Sequence, residues 1–190
     1  MLAFCAFAVF SILLKNDLRR EKSPLDSLPL GHPMPDFSLA GADGGEYTLS
    51  RIVPAKKLVM INFWASWCQP CRMEMPEFES LYHADSQKGL IILAVNEDQD
   101  PAKFAAYIKE RPITFPVLLD RGGKLAEKLG IRAFPTTILV PADGRVTAVV
   151  EGLDQYMKFR VDAALNAKPV RGKAGQPPAA GAVTEEKGRQ

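Results

Sequence analysis

Residues 58–71 read LVMINFWASWCQPC, a run of mostly apolar residues that ends in two cysteines. Positions 58–63 predict a buried strand, and the residues after them predict a turn. Cys68 and Cys71 then lie three positions apart at the start of a predicted helix, where they can form a disulfide, open it and form it again. Unpaired backbone N–H groups and the positive end of the helix dipole stabilise the thiolate of Cys68, the nucleophilic form. The stretch therefore predicts a redox-active pair.

Two other uses of a C-x-x-C pattern fit less well. Structural zinc needs two further ligands at suitable spacing, and outside the motif the chain offers only Cys5, His32 and His83. Cys5 lies in an apolar N-terminal run, and each histidine stands alone. A structural disulfide would close a very short loop and so remove little entropy from the unfolded chain. Thiol–disulfide exchange is the favoured interpretation, and no metal or cofactor is expected.

Two prolines extend the pattern along the chain. Pro76 falls inside the helix that is predicted after Cys71, where it removes a backbone donor and should kink the helix. Residues 130–137 read GIRAFPTT and lead into the apolar run 138–140. A proline directly before a strand and after a bulky residue is a candidate for a cis bond in a tight turn, and Pro135 is in this position.

The order of these motifs resembles the thioredoxin superfamily. W-C-x-P-C, a helix proline, F-P-T before a strand and a D-G turn with a second strand follow one another, and the resemblance covers about residues 31–166. Within the superfamily the chain most resembles the membrane-anchored, extracytoplasmic TlpA/ResA-type branch, which includes the cytochrome c maturation thioredoxins. The segment GHPMPDF at 31–37, the run FWASWC at 63–68 and Glu74 favour this branch. Asn62 stands where thioredoxin itself carries a buried Asp.

The resemblance implies an α/β thioredoxin fold, in which a central mixed sheet is flanked by helices, with an N-terminal hairpin and an inserted helix–strand unit. Hydrophobic patterns and turn signals predict the individual elements. Strands are expected at 37–39, 47–49, 58–63, 90–95, 115–119, 138–140 and 146–150, and helices at 69–84, 101–109, 123–129 and 154–165.

The expected mechanism assigns different roles to the two thiols. Cys68, the more exposed of the pair, attacks a partner disulfide, and Cys71 then attacks Cys68 to release the reduced partner. Gln69 and Pro70 are expected to tune the reduction potential through the geometry of the helix start. Trp67 is expected to shield the disulfide and pack on it.

Further site residues follow from the resemblance. Pro135 is expected to lie beside the disulfide as a cis-proline, with a neighbouring backbone free to pair with an extended substrate strand, or else to serve only as a turn residue. Phe134 and Thr136 are expected to flank the same groove and, together with Trp67, to bind the substrate. Glu74 either exchanges the proton of Cys71 as a buried carboxylate or is a solvated helix residue. Two acidic residues at the end of the second central strand are interpreted as solvated: Glu97 and Asp98.

The direction of electron flow is left open by the residues. The resemblance favours a reductant that acts outside the cytoplasm on the disulfides of selected proteins, for example apocytochrome c, with a membrane thiol–disulfide reductase as electron donor. The same chemistry serves a disulfide-forming oxidant. A non-enzymatic alternative is a Cu(I)-handling module in which both thiolates grip the metal, helped by Met73 or Met75.

Composition and patterning divide the chain into segments. The 190 residues are 47% hydrophobic and carry a formal net charge of +2, which suits one small domain at residues 31–167. No stripe of interleaved basic and aromatic residues suggests nucleic-acid binding, and a monomer is expected. Residues 15–30 are interpreted as a polar tether and residues 168–190 as a disordered tail.

The N-terminal segment 1–14 is almost wholly apolar and is followed by a basic cluster. As a helix it would rise roughly 21 Å, less than the ~30 Å of a bilayer core, and its basic residues stand on the side that normally stays cytoplasmic. It is interpreted as a membrane anchor whose basic start lies upstream of Met1, and the alternative is a short uncleaved segment. With an anchor, the domain would face the periplasm or another extracytoplasmic space.

Overall fold

A computed structural model describes residues 28–167. The predicted anchor, most of the tether and the tail lie outside these residues. No helix within residues 28–167 has the length and apolar character needed to cross a membrane. Leu28, which the sequence analysis assigned to the tether, is buried and packs into the core of the domain.

Seven strands and five helices follow one another along the described chain, with two short 3₁₀ turns at Val53–Ala55 and Ser86–Lys88. In chain order the elements are β1 (Ser38–Ala40), β2 (Glu46–Thr48), α1 (Leu49–Ile52), β3 (Leu58–Trp64), α2 (Gln69–Asp85), β4 (Leu90–Asn96), α3 (Pro101–Glu110), β5 (Val117–Leu119), α4 (Lys124–Lys128), β6 (Thr136–Pro141), β7 (Ala148–Glu151) and α5 (Met157–Asn166).

The central sheet has five strands in the order β5-β4-β3-β6-β7, and β1 and β2 form a separate antiparallel hairpin. β3 pairs in parallel with β4, and β4 in parallel with β5. β6 is antiparallel to both of its neighbours. The sheet is therefore mixed, as predicted, and the thioredoxin-like fold with its hairpin and inserted α3–β5 unit is confirmed.

β3 is the most deeply buried strand because both of its faces are covered. Successive side chains of a strand point to opposite faces, and those of β3 divide accordingly between two hydrophobic clusters. Leu58, Met60 and Trp64 pack with α2, α3 and α5 on one face. Val59, Ile61 and Phe63 pack with α4 and the N-terminal segment on the other.

Several element boundaries differ from those predicted. β6 begins at Thr136, because its first residues pair with Phe63 and Asn62 of β3. α5 begins three residues later than expected, because the carboxylate of Asp154 accepts a hydrogen bond from the Tyr156 N–H and holds a turn there. α1 was not predicted at all.

Candidate functional site

The two cysteines form a disulfide at the N-terminus of α2. The sulfur–sulfur distance is 2.05 Å and the Cα atoms are 5.3 Å apart. Cys68 is the N-cap of the helix, and its Sγ accepts a hydrogen bond from the Cys71 N–H at 3.3 Å. Cys71 is fully buried, whereas Cys68 keeps 5% of its surface exposed. Of the two cysteines, Cys68 thus keeps the exposed surface, and a backbone donor of the helix start faces its sulfur.

The turn before the helix is held by a buried carboxylate. Asp98 follows β4 and accepts hydrogen bonds from both the N–H and the hydroxyl of Ser66, at 3.0 and 2.9 Å. The Asn96 side-chain amide donates to the same carboxylate at 2.8 Å. Within the turn, the Cys68 N–H donates to the Ala65 carbonyl at 3.1 Å. The interpretation of Asp98 as solvated was wrong, because the turn folds over the carboxyl end of β4.

An aromatic pair borders the disulfide. The indole of Trp67 and the ring of Phe134 meet edge to face with centroids 6.0 Å apart. Trp67 is 62% exposed, so much of its surface is open to solvent next to the disulfide. Exposed aromatic surface beside the reactive sulfur suits contact with a partner protein.

The Phe134–Pro135 peptide bond is cis. The Pro135 carbonyl already accepts a hydrogen bond from the Gly152 N–H at 2.7 Å. Thr136 is buried, and its hydroxyl donates to the Ala133 carbonyl at 2.8 Å, so its side chain does not flank the groove as expected. A substrate strand would therefore have to pair with the backbone that precedes Pro135.

Glu74 lies one helical turn after Cys71 with 6% of its surface exposed, which overturns the solvated alternative. Its Oε1 accepts a hydrogen bond from Asn62 Nδ2 at 2.8 Å. Burial raises the pKa of Glu74 to about 8, the hydrogen bond from Asn62 lowers it in part, and the charge of Glu77 raises it. A carboxyl group whose neutral form is favoured at pH 7 therefore lies one helical turn from the buried Cys71.

Asn62 connects Glu74 to the central sheet. Its Nδ2 also donates to Thr137 Oγ1 at 3.0 Å, across the β3–β6 pairing. Its Oδ1 is buried and has no hydrogen-bond partner among residues 28–167. The amide thus offers only its donors to the carboxyl group, which favours the ionised form of Glu74 over the neutral one.

A second buried carboxyl lies at the same edge of the sheet, where β4 and β5 end. Glu97 is buried, and burial followed by the neighbouring charge of Asp120 raises its pKa to about 8. Asp120 accepts hydrogen bonds from the Leu125 and Ala126 N–H groups at 2.8 and 2.9 Å, at the start of α4. The interpretation of Glu97 as solvated was wrong. The sequence signal was its place at the carboxyl end of a central parallel strand, the edge where α/β folds carry their sites.

No group of three or more His, Cys, Asp or Glu side chains in the described part of the chain is placed to hold a metal ion.

Comparison with known proteins agrees with this geometry. The sequence model of the AhpC/TSA family matches residues 30–149, well over half of the chain. The chain belongs to this thioredoxin-like family. A thiol-disulfide oxidoreductase ResA from Bacillus thuringiensis subsp. konkukian is 29% identical over 164 residues, covering 83% of this chain and 91% of the relative. A ResA from Geobacillus thermodenitrificans is 32% identical over 126 residues, covering 66% and 71%.

A solved structure shares the fold. The crystal structure of a protein from Chlorobium tepidum, provisionally named thiol:disulfide interchange protein DsbE, matches with a TM-score of 0.67 and 30% identity. The match covers 73% of this chain and 99% of that protein. The predicted resemblance to the TlpA/ResA-type branch is confirmed, and the chain is a thiol–disulfide oxidoreductase.

Proposed function

We propose that the protein is a membrane-anchored reductant that acts outside the cytoplasm and reduces the disulfides of selected partner proteins. The observation that carries this proposal is the Cys68 sulfur at the helix start, facing backbone donors and bordered by exposed aromatic surface. The similarity to ResA proteins supports the direction of electron flow. Apocytochrome c is the example of a substrate that the family suggests.

The exchange begins from the dithiol form. The Cys68 thiolate attacks one sulfur of the partner disulfide, the partner's sulfur–sulfur bond breaks, and the leaving sulfur takes up a proton. The Cys71 thiolate then attacks Cys68, the intramolecular disulfide forms, and the second partner thiol leaves. In sum the partner gains two electrons and two protons, and the protein loses them. A membrane thiol–disulfide reductase is the proposed source of electrons for the next cycle.

Glu74 is the proposed proton-exchange partner of Cys71, which accepts the proton in its ionised form and returns it in its protonated form. Residues three apart on a helix are neighbours on its surface, so the carboxyl group is within reach of the buried thiol. Its pKa of about 8 is close to the ordinary value of a cysteine thiol, about 8.5, so a proton passes between them at little cost in free energy. Transfer of the Cys71 proton to the Glu74 carboxylate would produce the thiolate that attacks Cys68.

The groove at Phe134 and Trp67 is the proposed contact for the partner. Main-chain pairing of an extended partner segment with the backbone before Pro135 would hold a disulfide against Cys68. Gln69 and Pro70, the first two residues of α2, set the orientation of the helix start and are proposed to tune the reduction potential. The proposed state is a monomer that residues 1–14 anchor to the membrane, with a tether from residue 15 up to the buried Leu28.

Trapping of mixed disulfides tests which cysteine attacks the partner and which one releases it. We expect Cys71→Ser to accumulate a mixed disulfide with partner proteins, because nothing then resolves the bond at Cys68. The matched variant Cys68→Ser should trap none and should lose all exchange. Non-reducing gel electrophoresis of both variants measures this, and trapping by Cys68→Ser instead would reverse the assignment.

The reduction potential of the Cys68–Cys71 pair tests the proposed direction of electron flow. Equilibration of the full-length chain against defined thiol–disulfide buffers should give a value near ~−270 mV or lower, as for a dedicated reductant. A value near ~−120 mV would make the protein an oxidant.

A further inference from the structure

A second groove, separate from the aromatic pair, lies between the first turns of α2 and the end of α3. It has a volume of about 420 Å³, and its lining includes Arg72, Pro76, Glu79, Tyr107, Arg111 and Ile113. We call this the basic groove. It borders the redox pair directly, because Arg72 follows Cys71 in the chain and its N–H donates to the Cys68 carbonyl at 3.1 Å.

Two guanidinium groups converge on one aromatic ring in the basic groove. The Cζ atoms of Arg72 and Arg111 lie 5.9 and 6.0 Å from the centroid of the Tyr107 ring. Both arginines are exposed, whereas Tyr107 is buried and packs in the core. Because both guanidinium groups lie about 6 Å from the centre of the same ring, the groove presents two positive charges around one buried aromatic side chain.

The positive charges have no carboxylate partner among the described residues. Neither arginine takes part in any ion pair found within residues 28–167. Glu79 lines the groove, but its carboxylate accepts hydrogen bonds from the N–H and hydroxyl of Thr114 at 2.8 and 2.6 Å and lies 3.5 Å from His83. Two like charges held together at an apolar surface favour an anionic ligand.

Pro76 also interrupts the backbone hydrogen bonds of α2 where the helix lines the groove. Pro76 has no N–H to donate to the carbonyl of Arg72, four residues earlier in α2. Pro76, Tyr107 and Ile113 give the groove an apolar lining, on which an extended segment could pack while its acidic side chains meet the arginines. A protein segment therefore fits the groove better than a small anion.

We propose that the basic groove binds an acidic segment of the partner protein, with carboxylates held by Arg72 and Arg111 while the partner disulfide lies at Cys68. This inference rests on the proposed exchange with protein disulfides and names a feature that selects the partner. Arg72 and Arg111 are positioning residues, and the exchange chemistry stays with the cysteines.

A binding experiment tests the groove without requiring exchange. The probes are a short cysteine-free peptide rich in aspartate and leucine and its twin with asparagine for each aspartate, both with an uncharged fluorophore. Fluorescence anisotropy with the full-length chain should show that the acidic peptide binds more tightly, and that added salt reduces the difference. Arg111→Gln should weaken binding of the acidic peptide by about two- to five-fold, the value of one exposed ion pair, and Arg111→Lys should restore part of it.

The matched control is Arg51→Gln, which removes the same charge from an exposed site on α1. It should leave both peptides unaffected. Equal binding of the two peptides, or equal effects of the two Gln variants, would overturn the inference. Arg111-dependent capture by phosphatidylglycerol vesicles without peptide binding would also overturn it and assign the groove to a lipid surface. Failure of disulfide exchange with tight acidic-peptide binding would instead remove the proposed function alone.

Discussion

At the scale of single residues, the contact between Asn62 and Glu74 sets the proton chemistry of the site. The carboxyl group is buried one turn from Cys71, and the amide donates the hydrogen bond that opposes the effect of burial on its pKa. Thioredoxin itself places an Asp where this chain has Asn62. Here the titrating group and its hydrogen-bond donor are therefore separate residues, which can be varied one at a time.

Replacing Asn62 by Leu should raise the pKa of Glu74 above about 8. Loss of a hydrogen bond to a charged group disfavours the ionised form by about 1 kcal/mol or more, or roughly one pKa unit. Titration of the Glu74 carboxyl by carbon-13 NMR measures the change, and the pH at which exchange accelerates should rise with it. Asn166→Leu, at an exposed helix end, is the matched control and should change neither. An unaltered Glu74 titration in Asn62→Leu would show that the amide does not set it.

Residue patterns indicated Glu74 and both cysteines, but they predicted Asp98 in solvent and the Thr136 side chain at the groove, and both are buried. Spacing places a side chain on a helix or strand, and it does not say which loop returns to cover that position. Thr136 is buried because its hydroxyl turns back to its own loop, and Asp98 is buried because the turn at Ser66 folds over it. The burial of Thr136 depends on the conformation of its own turn, and that of Asp98 depends on a contact with a segment distant in sequence.

At the scale of elements, the start of α2 is fixed from two sides. The N-cap contact comes from Cys68 itself, and the preceding turn is anchored to the end of β4 by Asp98. The predicted helix, with Pro76 inside it, was correct, and its range of 69–84 ends one residue short of Asp85. The contact between Ser66 and Asp98 was not predictable from sequence. It joins the ends of β3 and β4, which are neighbours in the sheet but far apart in the chain.

Replacing Asp98 by Ala should destabilise the fold by about 2–4 kcal/mol. The change removes the acceptor of three hydrogen bonds and leaves buried donors of Ser66 and Asn96 unpaired. Urea unfolding of the oxidised protein measures the loss. Glu110→Ala, at the exposed end of α3, should cost far less than this. A loss of equal size in the two variants would show that Asp98 does not hold the turn.

At the scale of the whole molecule, two buried carboxyl groups make stability depend on pH. Glu74 and Glu97 each have a pKa of about 8 in the fold, against an ordinary value of 4.5. Between these values the folded protein keeps protons that the unfolded chain has lost, so the free energy of unfolding falls as pH rises from 4.5 to about 8. These two buried carboxyl groups thus make the fold more stable at acidic pH than at alkaline pH.

Replacing Glu74 or Glu97 by Gln should therefore stabilise the protein at high pH. At about pH 8.5 we expect each variant to exceed the parent by roughly 1–3 kcal/mol, because the amide carries no charge to bury. The gain should vanish near pH 4, where the parent is protonated in both states. Chemical unfolding across this range measures it. Glu110→Gln should show no such trend, and pH-independent gains in the buried variants would contradict the assignment.

The overall architecture followed from the order of a few motifs, because each one occupies a required place in the fold. The strand before the cysteines, the helix proline and the F-P-T segment together placed β3, α2 and β6, which meet at the site. The basic groove did not follow from any motif. Arg72 and Arg111 are far apart in sequence, and only the packing of α3 against α2 brings both onto the Tyr107 ring.

The position of the α3–β5 unit bears on how such proteins diversify. β5 is an edge strand of the sheet, whereas the redox pair lies at the start of the helix that follows the central strand β3. Arg111 directly follows α3, so one side of the basic groove belongs to the peripheral unit and the other to the catalytic helix. Evolution could thus change the length or the charge of the α3–β5 unit and so alter which partner proteins bind. The thiol–disulfide chemistry at α2 would stay the same.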